Sequence, residues 1–223
     1  QGSEPANLDP ANFVAIIDNP HWPMAPGSHW VYRETDAEGS RQRVEVTVTD
    51  ETKTILGITA TVVHDVVSRD GEPVEVTDDW YAQDAEGNVW YLGEDTAEYE
   101  NGKVVSREGS FEAGVDGAEP GVIMPADPQP GLEYRQEYLK GEAEDFASVL
   151  GFALQVEVPA GRYDNILQTQ DVNPLGAEAG SEGEAGVKPL QRPGEHLLGA
   201  LRFRFRDQVG GFLPAHVPQH HLR

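Results

Sequence analysis

Residues 58–84 read ITATVVHDVVSRDGEPVEVTDDWYAQD, and this stretch decides the predicted fold. A run rich in β-branched residues extends from Ile58 to Val67, the dipeptide Asp70-Gly71 follows, and a second strand-like run comes after it. Asp-Gly tolerates positive φ at both central positions of a two-residue turn, so it favours a tight connection between antiparallel strands. The stretch therefore predicts a β-hairpin.

Similar signals lie on both sides of this hairpin. Val44, Val46 and Val48 alternate with polar residues, which is the period of a strand with one wet face. Asn101-Gly102 predicts a second tight hairpin, and turn residues also occur at 37–39, 84–88 and 159–161. Neighbouring strands should therefore pair antiparallel. The predicted fold is mainly β, a single curved antiparallel sheet or half-barrel built from hairpins.

Two later segments extend this pattern. In residues 132–138, Leu132, Tyr134, Gln136 and Tyr138 alternate with the charged Glu133, Arg135 and Glu137, and this pattern predicts one half-exposed strand. Residues 143–150 have the only helical spacing in the chain, and this spacing fits a bent strand equally well. We therefore expect little or no helix.

The chain divides into three predicted parts. Residues 1–28 carry five prolines and predict an extended N-terminal arm, whose apolar residues 13–17 and Trp22 dock on the body. Residues 29–173 form the antiparallel β domain. Residues 174–223 contain a Gly/Ala/Glu-rich stretch followed by an arginine-bearing segment, and they predict a flexible, atypical C-terminal extension.

Charge and composition restrict the possible functions. The 223 residues include 39 acidic and 16 basic residues, a formal net charge of −23. That charge disfavours binding to nucleic acid and to anionic lipid, and it favours a basic protein partner. No apolar run reaches the roughly 18 residues that a membrane span needs. The chain has no cysteine and begins without a basic and apolar leader, so we expect a processed, secreted or periplasmic protein.

Aromatic residues of the strand segments form one candidate binding set. Successive residues of a strand point to opposite faces, so Trp80 and Tyr81 must separate, as must Trp90 and Tyr91. One ring of each pair can line a concave apolar pocket on a curved sheet, and the alternative is core packing. The candidate ligand-binding residues are Trp22, Trp30, Trp80, Tyr81, Trp90, Tyr91 and Tyr138.

Acidic residues of the predicted loops form a second candidate set. Carboxylate oxygens are the ligands that calcium prefers, so clustered acids make calcium a candidate cofactor. The alternative is a solvated, solubilising surface. The candidate metal ligands are Asp78, Asp79, Glu94, Asp95, Asp116, Glu142, Glu144 and Asp145.

Several motifs together resemble a family of uncharacterised exported bacterial proteins. They are IDNPHWP at 17–23, PGSHWVY at 26–32, DWYAQDAEGNVWY at 79–91 and GSFEAGVDGA at 109–118. The resemblance covers residues 13–175 and implies a periplasmic protein with a strongly curved antiparallel sheet. Members continue past this point with a further hairpin, whereas this sequence changes character at 176–180. The resemblance therefore implies a sheet edge that the C-terminal segment or a partner must cover.

These observations predict binding rather than catalysis, since no nucleophile elbow, phosphate loop or zinc-protease motif occurs. The leading hypothesis is an exported, acidic binding or accessory protein that recognises an apolar small molecule or an envelope protein. The first alternative is a hydrolase or lyase that acts on an extracellular polymer through paired carboxylates such as Glu142 and Asp145. The second is a structural accessory subunit of a membrane-anchored complex.

Overall fold

A computed structural model describes residues 8–35, 41–158, 161–172, 174–175 and 184–188. The described chain is mainly β, and its strands pair antiparallel in a curled sheet that forms a half-barrel. Apart from one short 3-10 helix at Pro10–Asn12, all the named elements are strands. The predicted fold class is therefore confirmed. No helix in the described ranges is long and apolar enough to span a membrane.

The strands fall into two hydrogen-bonded sheets. The main path of the ten-stranded sheet runs β11-β9-β6-β5-β4-β3-β2, with β1, β7 and β8 attached at its side, and the four-stranded sheet runs β10-β12-β13-β14. The strands are β1 (Phe13–Val14), β2 (His29–Thr35), β3 (Arg41–Ile55), β4 (Ile58–Arg69), β5 (Glu72–Asp84), β6 (Val89–Glu100), β7 (Lys103–Ser106), β8 (Phe111–Glu112), β9 (Glu119–Met124), β10 (Glu133–Arg135), β11 (Glu137–Tyr138), β12 (Phe146–Val158), β13 (Gly161–Val172) and β14 (Glu184–Lys188).

The predicted hairpins at Asp70-Gly71 and Asn101-Gly102 are confirmed. All four residues have positive φ, between 52° and 88°, as a two-residue turn of this handedness requires. The turn at 84–88 joins β5 to β6, also as predicted, while the turn residues 36–40 and 159–160 lie outside the described residues. Local turn chemistry thus accounts for the order of the central strands.

The segment 132–138 differs from its prediction, because it forms two short strands in two different sheets. β10 pairs with β12, whereas β11 pairs with β9, and Gln136 lies between them. The backbone N–H of Gln136 donates to the carbonyl of Asp145, so neither strand continues through this residue. The segment therefore links the two sheets, which a count of alternating residues cannot show.

Residues 143–150 adopt the second of the two conformations that their spacing allows. Phe146 begins β12, and the strand bends at a register shift between Val149 and Gly151. A bulge inserts an extra residue and shifts the side-chain alternation, which explains why the sequence pattern departs from period 2 here.

Two hydrophobic clusters pack on opposite faces of the central strands. The first includes Trp22 of the arm, Tyr81 and Tyr91 of the ten-stranded sheet, and Val149 and Leu167 of the four-stranded sheet. It therefore joins arm and sheets in one core. The second contains Ile55, Ile58, Trp80, Leu92 and Ala113, with Leu8 and Phe13 packed against it. The central strands β4, β5 and β6 are thus buried on both faces where the two clusters lie.

The described part of the predicted arm, residues 8–28, lies against the body. β1 pairs with the last residues of β5, and Ile17 and Trp22 are buried, while Val14 and Ile16 remain exposed. Of the predicted C-terminal extension, β14 pairs with β13. The remainder of that extension, apart from residues 174–175, lies outside the described residues.

Candidate functional site

The candidate aromatic residues separate to the two faces of the sheet as strand alternation requires. Tyr81 and Tyr91 belong to the first cluster, whereas Trp80 belongs to the second and Trp90 packs against it. A register shift between Trp80 and Tyr81 places Tyr81 directly opposite Tyr91. The predicted separation of each neighbouring pair is therefore confirmed.

The aromatic rings of the first cluster contact one another in a continuous row. Trp22 meets Tyr81 edge-on at 5.8 Å, Tyr81 stacks on Tyr91 at 4.9 Å, and Tyr91 meets Phe111 edge-on at 5.3 Å between ring centroids. These are the offset and edge-to-face arrangements that aromatic pairs prefer. The exposed fractions are only 6% for Trp22, 3% for Tyr81 and 4% for Tyr91. The rings contact one another, so they act as core.

Trp80 and Trp90, on the face of the second cluster, also contact other side chains. The Lys53 ammonium lies 3.2 Å from the centroid of Trp80 and 2.7 Å from a carboxylate oxygen of Glu112. The indole N–H of Trp90 donates to Asp84 at 2.8 Å. Trp80 is 7% exposed. Lys53 and the β8 residue Glu112 thus cover this face of the sheet.

The two remaining candidate rings lie elsewhere. Trp30, on β2, is half-buried and packs against the first cluster. Tyr138, on β11, is half-buried beneath the guanidinium of Arg135, which also pairs with Glu119. The structure therefore does not gather the seven predicted residues around one space.

Four of the candidate metal ligands form two acid pairs across β5 and β6. Asp78 lies opposite Asp95, and Asp79 lies opposite Glu94. Directly opposed like charges destabilise a sheet, and nearby groups reduce this cost. On one face His64 Nδ1 lies 2.7 Å from Asp78, and Arg107 lies 2.5 Å from Asp95.

On the opposite face the Tyr91 hydroxyl donates to buried Asp79 at 2.5 Å. Burial, followed by the nearby carboxylates of Asp79 and Glu94, raises the pKa of Tyr91 well above its ordinary value of 10.0. The hydroxyl therefore stays protonated and remains a donor to Asp79. Chemically, this arrangement stabilises a buried carboxylate.

The other candidate ligands are spread over separate turns. Asp116 lies in the exposed turn before β9 with φ 51°, and Glu142 is exposed in the turn after β11. Glu144 accepts a hydrogen bond from the backbone of Gly141, and Asp145 is half-buried beside β11. Within the described residues, no three or more His, Asp or Glu side chains come together in a way that could hold a metal ion.

A polar network that the motif reading missed attaches the arm. The Asn19 amide donates to the carbonyls of Gly87 and Pro125, and Gln83 accepts from the backbone N–H groups of Asp18 and Asn19. Asn19 is 3% exposed, and its bonds to Gln83 and to the Pro125 carbonyl are buried, while the other two are partly buried. The sequence signal was available, since Asp18-Asn19-Pro20 and Gln83 lie in two of the quoted motifs. These motifs therefore have a structural explanation.

The edge formed by β2 was also missed. β2 ends the ten-stranded sheet, and within the described ranges it pairs only with β3. Arg33 lies directly opposite Arg43, and Arg41 follows on the same face of β3. Arg43 pairs with Glu45, whereas Arg33 and Arg41 form no ion pair with any described residue. A small basic surface thus borders this edge of an acidic protein.

Comparison of the chain with protein-family models, curated proteins and solved structures finds no match. The resemblance to an exported family therefore stays a prediction.

Proposed function

We propose that this protein is an exported, non-enzymatic binding protein that recognises a protein partner by accepting a strand along β2. One observation carries the proposal: β2 ends the curled sheet and, among the described residues, has a neighbour on one side only. Alternate N–H and C=O groups of such a strand point away from the sheet. They are a template for another strand, and recognition by strand addition uses them.

The close packing of the aromatic rings in the first cluster favours a protein partner over an apolar small molecule. A small-molecule site needs ring surface that the ligand can reach. Trp22, Tyr81 and Tyr91 are each less than a tenth exposed and pack on one another. A ligand in this position would have to displace these core side chains.

The carboxylates offer less support for the hydrolase alternative. Glu142 is exposed in a turn, and the backbone carbonyl of Asp145 is bonded to Gln136 and Glu137. The acid pairs that do face each other, Asp78 with Asp95 and Asp79 with Glu94, are built into paired strands and engaged by His64, Arg107 and Tyr91. This arrangement favours a structural and electrostatic role for them.

An accessory role outside the cytoplasm is part of the proposal. It rests on the motif resemblance. The net charge of −23 favours solubility of the folded protein. Fractionation of producing cells tests the location, and recovery only with cytosolic markers would contradict it.

Amide hydrogen exchange on the full-length protein tests the open edge. Alternate amides of residues 29–35, those not bonded to β3, should exchange much faster than the amides of the central strand β4. The exposed hairpin strand β7 is the internal control for an edge. Uniform protection of residues 29–35 at the level of β4 would mean that the edge is already covered, and the proposal would fail.

A further inference from the structure

From the arginines beside β2 we infer the chemistry of the strand that this edge accepts. The inference rests on the proposed function and deepens it. An added strand must present one row of side chains to each face of the sheet, because neighbouring strands share their alternation. The two faces at β2 differ strongly, so they set two separate requirements.

One face is apolar. Trp30 and Tyr32 point to the side of Val44 and Val46, with which they are paired, and all four are buried or half-buried. An added strand therefore needs apolar side chains in this row. Val and Ile suit such a position because they pack well on a pleated surface.

The other face is basic. Arg33 and Arg43 are opposed across the strand pair, and Arg41 continues the row, all three exposed. Opposed like charges are destabilising in a sheet, and a carboxylate in the adjoining position relieves the cost. Arg33 and Arg41 form no ion pair within the described chain, so their guanidinium groups are open to carboxylates, which they bind in a forked geometry.

The strand that enters the β2 edge therefore alternates acidic with apolar residues. The overall charge of −23 does not oppose this at close range. At physiological salt the screening length is about 8 Å, so distant acids count for little beside arginines in contact. A second copy joined through its own β2 is disfavoured, since the two arginine rows would meet.

The experiment uses two synthetic peptides of equal length, one alternating Glu with Val and the other alternating Lys with Val. Each is added to the full-length protein at physiological salt, and binding is followed by amide exchange of residues 29–35. We expect the Glu/Val peptide to protect these amides and to bind at least about tenfold more tightly. This corresponds to two exposed ion pairs at the upper end of their usual strength.

Two double variants identify the groups responsible. Arg33→Glu with Arg41→Glu should abolish or reverse the preference, and neither arginine has an ion pair with another described residue whose loss would disturb the fold. Lys103→Glu with Lys140→Glu makes the same charge change at exposed positions on β7 and in the turn after β11, and it should leave the preference unchanged. Circular dichroism of both variants checks that the fold is retained.

The outcomes separate the inference from the proposed function. Protection of β2 by the Lys/Val peptide, or by both peptides equally, overturns the inference and leaves strand addition standing. Protection by neither peptide overturns both. If neither peptide binds and the Arg33/Arg41 variant self-associates, the arginines serve only to keep two edges apart.

Discussion

At the scale of single residues, packing is tightest where two backbone segments approach each other. A Cβ built on Gly121 of β9 would overlap the carbonyl group of Gln136 and lie 2.7 Å from the nitrogen of Glu137. The backbone of Gly121 needs no positive φ, so glycine is required here for space alone. This contact lies at the start of β11, in the segment that links the two sheets.

Gly121→Ala is predicted to cost about 3 kcal/mol or more of unfolding free energy, because two backbone segments must separate. Urea denaturation measures the loss. Gly141→Ala is the control: its φ is 78° but a Cβ there meets nothing within 4 Å, so only about 1 kcal/mol of backbone strain is expected. Equal losses in the two variants would contradict the close approach.

Buried Tyr91 predicts a pH dependence. Burial raises its pKa above 10.0, so the hydroxyl ionises more readily in the unfolded chain than in the folded one. Stability is unaffected below pH 10 and falls as pH rises above it towards the folded-state pKa, by about 1.4 kcal/mol per pH unit for each such group. Burial raises the pKa of Tyr134 in the same direction.

Urea denaturation on either side of pH 10 measures this slope. Tyr91→Phe should be less stable at neutral pH, because Asp79 loses a donor, yet its stability should fall less steeply above pH 10. A variant slope equal to that of the native protein would show that Tyr91 is not the group that titrates.

At the scale of elements, turn chemistry explains most of the sheet and fails at one hairpin. β3 and β4 are joined by Leu56 and Gly57, both at positive φ, 51° and 80°. Asp70-Gly71 has the same two-residue geometry, but the sequence Leu56-Gly57 does not predict a turn, because leucine is not a typical turn residue. Leu56 contributes packing instead, since a Cβ on Gly114 would overlap its side chain. Leu56 thus contacts Gly114, although 47% of the residue is exposed.

Gly57→Val is predicted to destabilise the protein by about 2 kcal/mol, because a β-branched residue resists positive φ and its Cβ would lie 3.2 Å from the Pro10 side chain. Leu56→Asn should be tolerated within about 1 kcal/mol, since asparagine accepts this conformation while the packing over Gly114 is lost. Thermal unfolding of the two variants gives the comparison. A larger loss of stability for Leu56→Asn than for Gly57→Val would mean that the packing of Leu56, and not the turn conformation, stabilises this hairpin.

At the scale of the whole molecule, the net charge of −23 produces self-repulsion in the folded state. Raising the salt concentration from about 0.01 M to 0.15 M shortens the screening length from about 30 Å to about 8 Å. The melting temperature should therefore rise, by roughly 2–4 °C for each kcal/mol of repulsion removed.

Calcium and magnesium chlorides at equal ionic strength test the calcium hypothesis in the same measurement. Because the described acids do not converge on one point, we expect equal melting temperatures in both salts. A higher value in calcium alone, lost on adding chelator, would show a specific site, since selective binding to the folded state stabilises it.

Much of the fold was predictable because hairpins depend on neighbours in the sequence. Asp70-Gly71 and Asn101-Gly102 specify their turns locally, and alternation specifies which rings share a face. The candidate site was not predictable in this way. Whether Tyr81 and Tyr91 line a pocket or fill a core depends on Trp22 and Phe111, which arrive from distant segments.

By itself, the sequence determined a cysteine-free acidic chain, its antiparallel strands and two of its tight turns, because charge and local φ preferences need no distant partner. Only the tertiary structure decided that residues 132–138 serve two sheets, that Asn19 anchors the arm, and that β2, bordered by arginines, is the last strand of the ten-stranded sheet among the described residues. These features depend on which segments meet across long separations, and side-chain alternation is the same whether a strand lies at the centre or at the edge of a sheet.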